Sequence, residues 1–216
     1  MIKRIIFDID GTIITGIDFY PAICKALQNY GINDMSKAEV FVNNIIEYNK
    51  THSSYERKQY LSFFSDKLGV NLDDNFLSLF FAELKKAVPN DSRCIFDILS
   101  SLRDYELVIL SNYFEESQRN RLKAMVINDF FIEYHGEKII KPYSEAYLGA
   151  AGPHKPSECI IVGDDKELDI DIPKKMGFNT IWVHREGDIS HINELSADLI
   201  KKIEKRVLIG KSMTDK

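Results

Sequence analysis

Ile2-Lys3-Arg4-Ile5-Ile6-Phe7-Asp8-Ile9-Asp10-Gly11-Thr12 begins with a short run rich in β-branched residues and stops at two acids and a glycine. A run of that kind reads as a buried strand ending in a tight turn, which leaves Asp8 and Asp10 at the strand's carboxyl end. From about residue 19 to 88 the pattern turns helical. Pro21 to Tyr30 is closed by Gly31, Ser36 with Glu39 and Ser53 with Glu56 read as capping boxes, Gly69 ends the third helix, and a fourth runs from about Asp74 to Ala87. Pro89 closes this stretch, which contains no convincing strand and reads as a helical insertion.

Beyond Pro89, strands and helices alternate as they do around a parallel sheet. A helix from Asp91, a strand at Glu106 to Leu110, a helix around Glu115 to Asn128, a short strand near Phe130 to Tyr134 and a helix from Pro142 come first. Strands at Glu158 to Val162 and Asn179 to Val183 follow, then an amphipathic helix from Ile192 to Val207 and a frayed tail at Lys211 to Lys216. The expected fold class is α/β, a doubly wound, mainly parallel sheet over residues 1–18 and 89–216 with a small all-helical domain over 19–88.

The 216 residues are 44% hydrophobic and 28% charged, enough apolar side chain for a sizeable core. A formal net charge of -5 gives no general electrostatic pull toward a nucleic-acid backbone. No run approaches the roughly 18 apolar residues of a membrane span, and the first residues lack a signal-peptide core. Cys24, Cys94 and Cys159 are widely spaced among apolar neighbours, which suits buried free thiols better than disulfides or zinc ligands. A cytoplasmic location is expected, without nucleic-acid or membrane partners.

A doubly wound sheet binds ligands outside the carboxyl ends of its strands. At those ends the sequence offers Asp8 and Asp10, Ser111 and Asn112, and Gly163, Asp164 and Asp165, with Lys141 ahead of a helix in reach of the same edge. Asp8, Asp10, Asp164 and Asp169 would repel one another if all were ionised, and a divalent cation relieves that repulsion. Hard oxygen donors without neighbouring His or Cys select magnesium. Lys141, the Ser111 hydroxyl and nearby backbone N–H groups suit the oxygens of a phosphate.

Asp8-Ile9-Asp10-Gly11-Thr12, Ser111-Asn112, Lys141-Pro142 and Gly163-Asp164-Asp165 followed by Asp169 resemble, in order, the four motifs of the haloacid dehalogenase (HAD) superfamily. The resemblance spans residues 1 to about 18 and about 89 to 185. It implies a Rossmann-like core with a helical cap inserted after the first strand, and a hydrolase of the phosphatase branch. Asp8 is then the nucleophile that forms an aspartyl phosphate, and Asp10 the general acid and later the base. Asp8, the Asp10 backbone carbonyl and Asp164 would hold magnesium, with Asp169 or Asp165 acting through water, while Ser111, Asn112 and Lys141 would bind the phosphate. The dehalogenases that name the superfamily lack an acid at the place of Asp10, because a halide leaves without a proton and an alkoxide does not. The implied partner is a small phosphorylated metabolite, and the chain is expected as a monomer or small homo-oligomer. One departure stands out: Asp171-Ile172-Pro173-Lys174 occupies a place where many relatives carry a Gly-Ala pair.

Each motif alone has a plainer reading. Ser111-Asn112 resembles a helix cap, Lys141 a solvated lysine, and Asp165, Glu167 and Asp171 acids at a helix N-terminus, the preferred reading for the last two. His52, Ser53, Ser54, Tyr55, Arg57 and Lys58 fit either substrate contacts in the cap or a solvated helix start. His135, His154, His184 and His191 lack ligand spacing, and Phe63, Phe64, Phe76, Phe80 and Phe81 recur at the spacing of a helical core. A sugar-phosphate mutase of the same superfamily would use the same motifs. A signalling receiver domain would carry an aspartate where Ser111-Asn112 stands, and a silent phosphate-binding protein would lack part of the set.

Overall fold

The computed structural model describes residues 1–16, 18–89 and 93–204. Five strands, β1 (Arg4–Phe7), β2 (Glu106–Leu110), β3 (Glu133–His135), β4 (Cys159–Gly163) and β5 (Asn179–Trp182), form one sheet in the order β3-β2-β1-β4-β5. All four pairings are parallel. The chain therefore winds one way from β1 to β2 and β3 and the other way to β4 and β5, which puts the reversal of strand order at β1. Phe7 is level with Ile109 and Val162, so β1, β2 and β4 release Asp8, Ser111 and Asp164 at one edge.

Side chains alternate across the sheet with period two. Ile5, Phe7, Leu107, Ile109, Ile160 and Val162 pack on one face, and Ile6, Val108, Leu110 and Ile161 on the other. Both faces are covered, which is why these strands read as continuous apolar runs. Helices α5 (Arg93–Ser101), α6 (Glu115–Ala124) and α7 (Ser144–Ala151) connect the strands, and a π-helical turn over Lys166–Asp171 leads into the short α8 (Ile172–Lys175).

Between β1 and α5 lie α1 (Phe19–Asn29), α2 (Ser36–Thr51), α3 (Arg57–Leu68) and α4 (Asp74–Lys86). Their inward faces make a separate aromatic cluster in which Phe41 and Phe64 stack at 4.0 Å, with Phe76, Phe80 and Phe81 also buried. Phe114, at the start of α6, and Ile140 join that cluster from the sheet-bearing part.

Neither expected capping box forms. The α2 start is held by Asp34, whose carboxylate accepts from the Ser36 N–H at 3.0 Å. Ser53 lies outside α3, which begins only at Arg57, because Ser53 to Tyr55 is spent on backbone pairing described below. The helix expected around Glu115 to Asn128 stops at Ala124, and a 3₁₀ turn takes Asn128–Phe130. The expected amphipathic helix from Ile192 opens as a 3₁₀ turn over Ile192–Glu194 and becomes α-helical over 197–204; its end at Val207 and the Lys211 to Lys216 tail lie outside the described residues. The start of the helix expected from Asp91 also lies outside them. Cys94 is exposed, contrary to the expectation of three buried thiols, whereas Cys159 is buried. Among the described residues no helix is long and apolar enough to cross a membrane.

Candidate active site

The turn after β1 is built around Asp164. Gly11 has φ +82°, and a Cβ there would overlap the Asp164 carboxylate, so glycine is required both by backbone conformation and by space. Buried Thr12 donates from Oγ1 to Asp164 Oδ1 at 3.3 Å, and Trp182 Nε1 donates to the Asp164 carbonyl at 2.9 Å. Gly163 is constrained by space alone, since a Cβ would overlap Asp169.

Asp169 lies on the π turn. Pro173 has no N–H for the carbonyl four residues back, which is that of Asp169, so a regular α-helix cannot run through this segment. The Ile172 N–H bonds instead to the Glu167 carbonyl, five residues back. The turn answers the Asp171-Ile172-Pro173-Lys174 departure without losing Asp169. The Asp165 carboxylate caps it, accepting from the N–H groups of Glu167 and Leu168 at 2.9 Å each, while the Asp165 N–H donates to Asp169 Oδ2 at 3.1 Å. Glu167 is exposed and Asp171 pairs with Lys166, in line with their plain reading.

Carboxylate oxygens of Asp8, Asp164 and Asp169 all lie within 4.8 Å of one another. Lys141 Nζ donates to Asp8 Oδ1 at 2.8 Å and to Asp169 Oδ1 at 2.7 Å, and all three of these residues are buried. Burial pushes Asp8 up to about 7 against the pull of Lys141, with Asp169 adding to the rise. Asp164 is pushed up to about 6 by burial and by repulsion from Asp8, and Asp169 also rises through burial. Burial would lower Lys141, but Asp169 and Asp8 outweigh it and hold the ammonium protonated. Three acids facing one ammonium leave negative charge uncompensated, and the donors are all hard oxygens, so the set fits magnesium.

Ser111 and Asn112 take different positions. The Asn112 amide is engaged with the Lys141 backbone, donating from Nδ2 to its carbonyl at 2.9 Å and accepting its N–H at 2.7 Å. Ser111 Oγ accepts from Gln118 Nε2 at 3.1 Å. The Asp10 side chain stands apart from the three-acid cluster and is gripped by Arg121, NH1 to Oδ1 at 2.6 Å and NH2 to Oδ2 at 2.8 Å. Sequence reasoning missed Arg121 and Gln118. The available signal was spacing: Phe114, Gln118, Arg121 and Leu122 share the buried face of α6, where two long polar side chains are out of place.

The polar stretch of the helical unit is partly tied down. The Tyr55 N–H donates to the Glu137 carbonyl at 2.7 Å and the Ile140 N–H to the Ser53 carbonyl at 3.0 Å, so this segment is laced to the loop that delivers Lys141. Tyr55 is buried, His52 stacks on Tyr48 at 4.0 Å, and the Ser54 carbonyl accepts from the Tyr48 hydroxyl at 3.2 Å. Arg57 pairs with Asp74 and Glu116, while Lys58 is exposed. His135 and His154 bond to Glu133 and Glu106, His184 stacks on Trp182, and His191 accepts from the Asn193 N–H.

Solved structures share this architecture. A HAD phosphatase from Thermococcus onnurineus is similar at 25% identity and a TM-score of 0.60, over 87% of this chain and 88% of that one. L-2-haloacid dehalogenase from Xanthobacter autotrophicus gives 19% identity and a TM-score of 0.61, over 86% of this chain and 78% of that one. A HAD family enzyme from Bacteroides thetaiotaomicron, solved with magnesium and inorganic phosphate, gives 14% identity and a TM-score of 0.55, over 84% and 94%. No curated protein matches the chain. A family model described as haloacid dehalogenase-like hydrolase matches residues 2–177, which takes in Asp8, Asp10, Ser111, Asn112, Lys141, Asp164 and Asp169, and the chain belongs to that family of hydrolases.

Proposed function

We propose that the chain is a magnesium-dependent phosphohydrolase that cleaves a small phosphate monoester through an aspartyl phosphate on Asp8. The observation that carries this reading is the second carboxylate, Asp10, held two residues beyond Asp8 and outside the three-acid cluster. A phosphate ester needs a proton on its leaving oxygen, whereas a halide does not.

In this reading an Asp8 oxygen attacks phosphorus as the bond to the leaving oxygen breaks, and Asp10 gives that oxygen its proton. Asp10 then takes a proton from water as the water oxygen attacks phosphorus, Asp8 departs as a carboxylate, and inorganic phosphate is released. Lys141 and Ser111 hold the transferring phosphoryl group, and Asn112 fixes Lys141 through its backbone. Asp8, the Asp10 backbone carbonyl, Asp164 and Asp169 would hold magnesium, with Asp165 bracing Asp169. When bound, the cation supplies positive charge against the phosphoryl oxygens. Residues 19–88 act as a cap that excludes water during transfer, over a core of residues 1–18 and 89–216.

The test is phosphate release from a panel of small monoesters, with magnesium and with chelator, for the native chain and Asp8→Asn, beside halide release from 2-haloacids. Phosphate release that needs both magnesium and Asp8 supports the reading. Halide release without phosphate release would replace it with dehalogenation.

A further inference from the structure

We infer that Arg121 is a positioning residue for Asp10, and that Gln118 joins this clamp to Ser111, so that one buried face of α6 sets both the proton-transfer carboxylate and a phosphate-binding hydroxyl. The inference rests on the phosphohydrolase reading. Arg121 holds both oxygens of Asp10, at 2.6 and 2.8 Å, and its NH2 also donates to Gln118 Oε1. Gln118 turns its Nε2 to Ser111 Oγ at 3.1 Å. The result is an unbroken chain of contacts, Asp10 to Arg121 to Gln118 to Ser111, that spans two of the motifs.

A purely structural ion pair explains this poorly. Arg121 is 1% exposed, while the Asp10 side chain is 33% exposed, so the helix buries a whole guanidinium to reach a carboxylate that still faces solvent. Pairs that bury a charge add little stability over well-packed apolar side chains, and Arg121 Nε is buried with no partner among the described residues. What a guanidinium gives here, and an ammonium does not, is a two-point grip that fixes the plane of the carboxylate. Arg121 takes one site on each Asp10 oxygen and leaves another, which carries the proton given to the leaving oxygen and later accepts the proton of the attacking water. Phe19, at the first residue of α1, lies against the same guanidinium at 6.0 Å, so the clamp also touches the start of the helical unit.

The experiment compares a simple alkyl phosphate, whose leaving oxygen needs a proton, with 4-nitrophenyl phosphate, whose leaving oxygen does not, in native chain, Arg121→Met, Arg121→Lys, Asp10→Asn and the Asp10→Asn/Arg121→Met double variant. Misplacing a reacting group by about 1 Å costs on the order of a hundredfold, so Arg121→Met should lose about that factor in kcat/KM on the alkyl ester. The loss in kcat/KM on the nitrophenyl ester should stay below about tenfold, because kcat/KM reports formation of the aspartyl phosphate and not the shared hydrolysis step in which Asp10 is the base. Arg121→Lys should recover only part of the loss, and in the Asp10→Asn background Arg121→Met should cost almost nothing further. Equal losses on both esters, or a full loss in the Asp10→Asn background, would overturn the positioning role. If Arg121→Met does not fold, Arg121→Lys is judged by the same split between esters and by its own double variant with Asp10→Asn. A native chain inactive on both esters would overturn the phosphohydrolase reading and this inference with it; an active native chain whose variants lose both esters alike would overturn this inference alone.

Discussion

Asn112 and Lys141 hold one another by two reciprocal hydrogen bonds, side-chain amide to backbone carbonyl at 2.9 Å and backbone N–H to amide oxygen at 2.7 Å. The residue after Ser111 thereby fixes the backbone from which the buried ammonium reaches Asp8 and Asp169. Asn112→Leu removes both bonds while keeping the bulk. The expected result is a loss of kcat on the order of tenfold to a hundredfold with the fold retained, read by steady-state kinetics beside circular dichroism. Unchanged kcat would show that Lys141 needs no such support.

Lys141 is the one cation within hydrogen-bonding distance of Asp8 and Asp169 among the described residues. Removing one member of a buried pair typically costs about 3–5 kcal/mol, because the other is left uncompensated. Lys141→Met should lose stability on that scale in denaturant titration without divalent cation, and should lose activity with or without it. A variant as stable as the native chain would contradict the pairing.

Magnesium should stabilise the chain more at high pH than at low. Asp8 at about 7 and Asp164 at about 6 both stand above the ordinary 3.8, so the metal-free folded chain holds protons that the unfolded chain has released. Their contribution to stability is present in full below 3.8 and is lost as pH rises through 6 to 7. A bound cation replaces those protons, so its gain in Tm should be larger near about pH 8 than near about pH 5. Asp164→Asn should remove most of that gain. Equal gains at both pH values would mean that the cation binds elsewhere.

Gly11→Ala should fold poorly or lose activity by at least about a hundredfold, since a methyl group at φ +82° would displace the Asp164 carboxylate. Gly16 makes the matching control: its φ is +71° but nothing lies within 4 Å of its would-be Cβ. Gly16→Ala should cost only backbone strain, on the order of 1 kcal/mol, and leave activity near native. Similar activity losses in the two variants would tie the Gly11 requirement to backbone conformation alone.

The strands were legible because burial on both faces writes itself as runs such as Leu107 to Leu110 and Ile160 to Val162. Their shared edge followed from the rule for doubly wound sheets, which drew Asp8, Lys141, Asp164 and Asp169 into one neighbourhood. What sequence could not give was the division of labour between polar side chains. Asn112 reads as a phosphate ligand, yet its amide serves the Lys141 backbone. Arg121 sits in the strongly polar segment Glu115 to Ala124, where nothing local points to a partner 111 residues away. Ser53 fits a capping box by local pattern and lost that role to a long-range backbone bond with Ile140. In each case a tertiary contact decided the outcome over the local one.

The most direct test of the central claim is to quench the native chain and Asp8→Asn in acid during turnover of 4-nitrophenyl phosphate with magnesium, digest them, and weigh the peptide that carries Asp8. The account predicts the added mass of one phosphoryl group on that peptide in the native chain and none in Asp8→Asn. Turnover with no phosphoryl group on Asp8, or with the group on another residue, would contradict it.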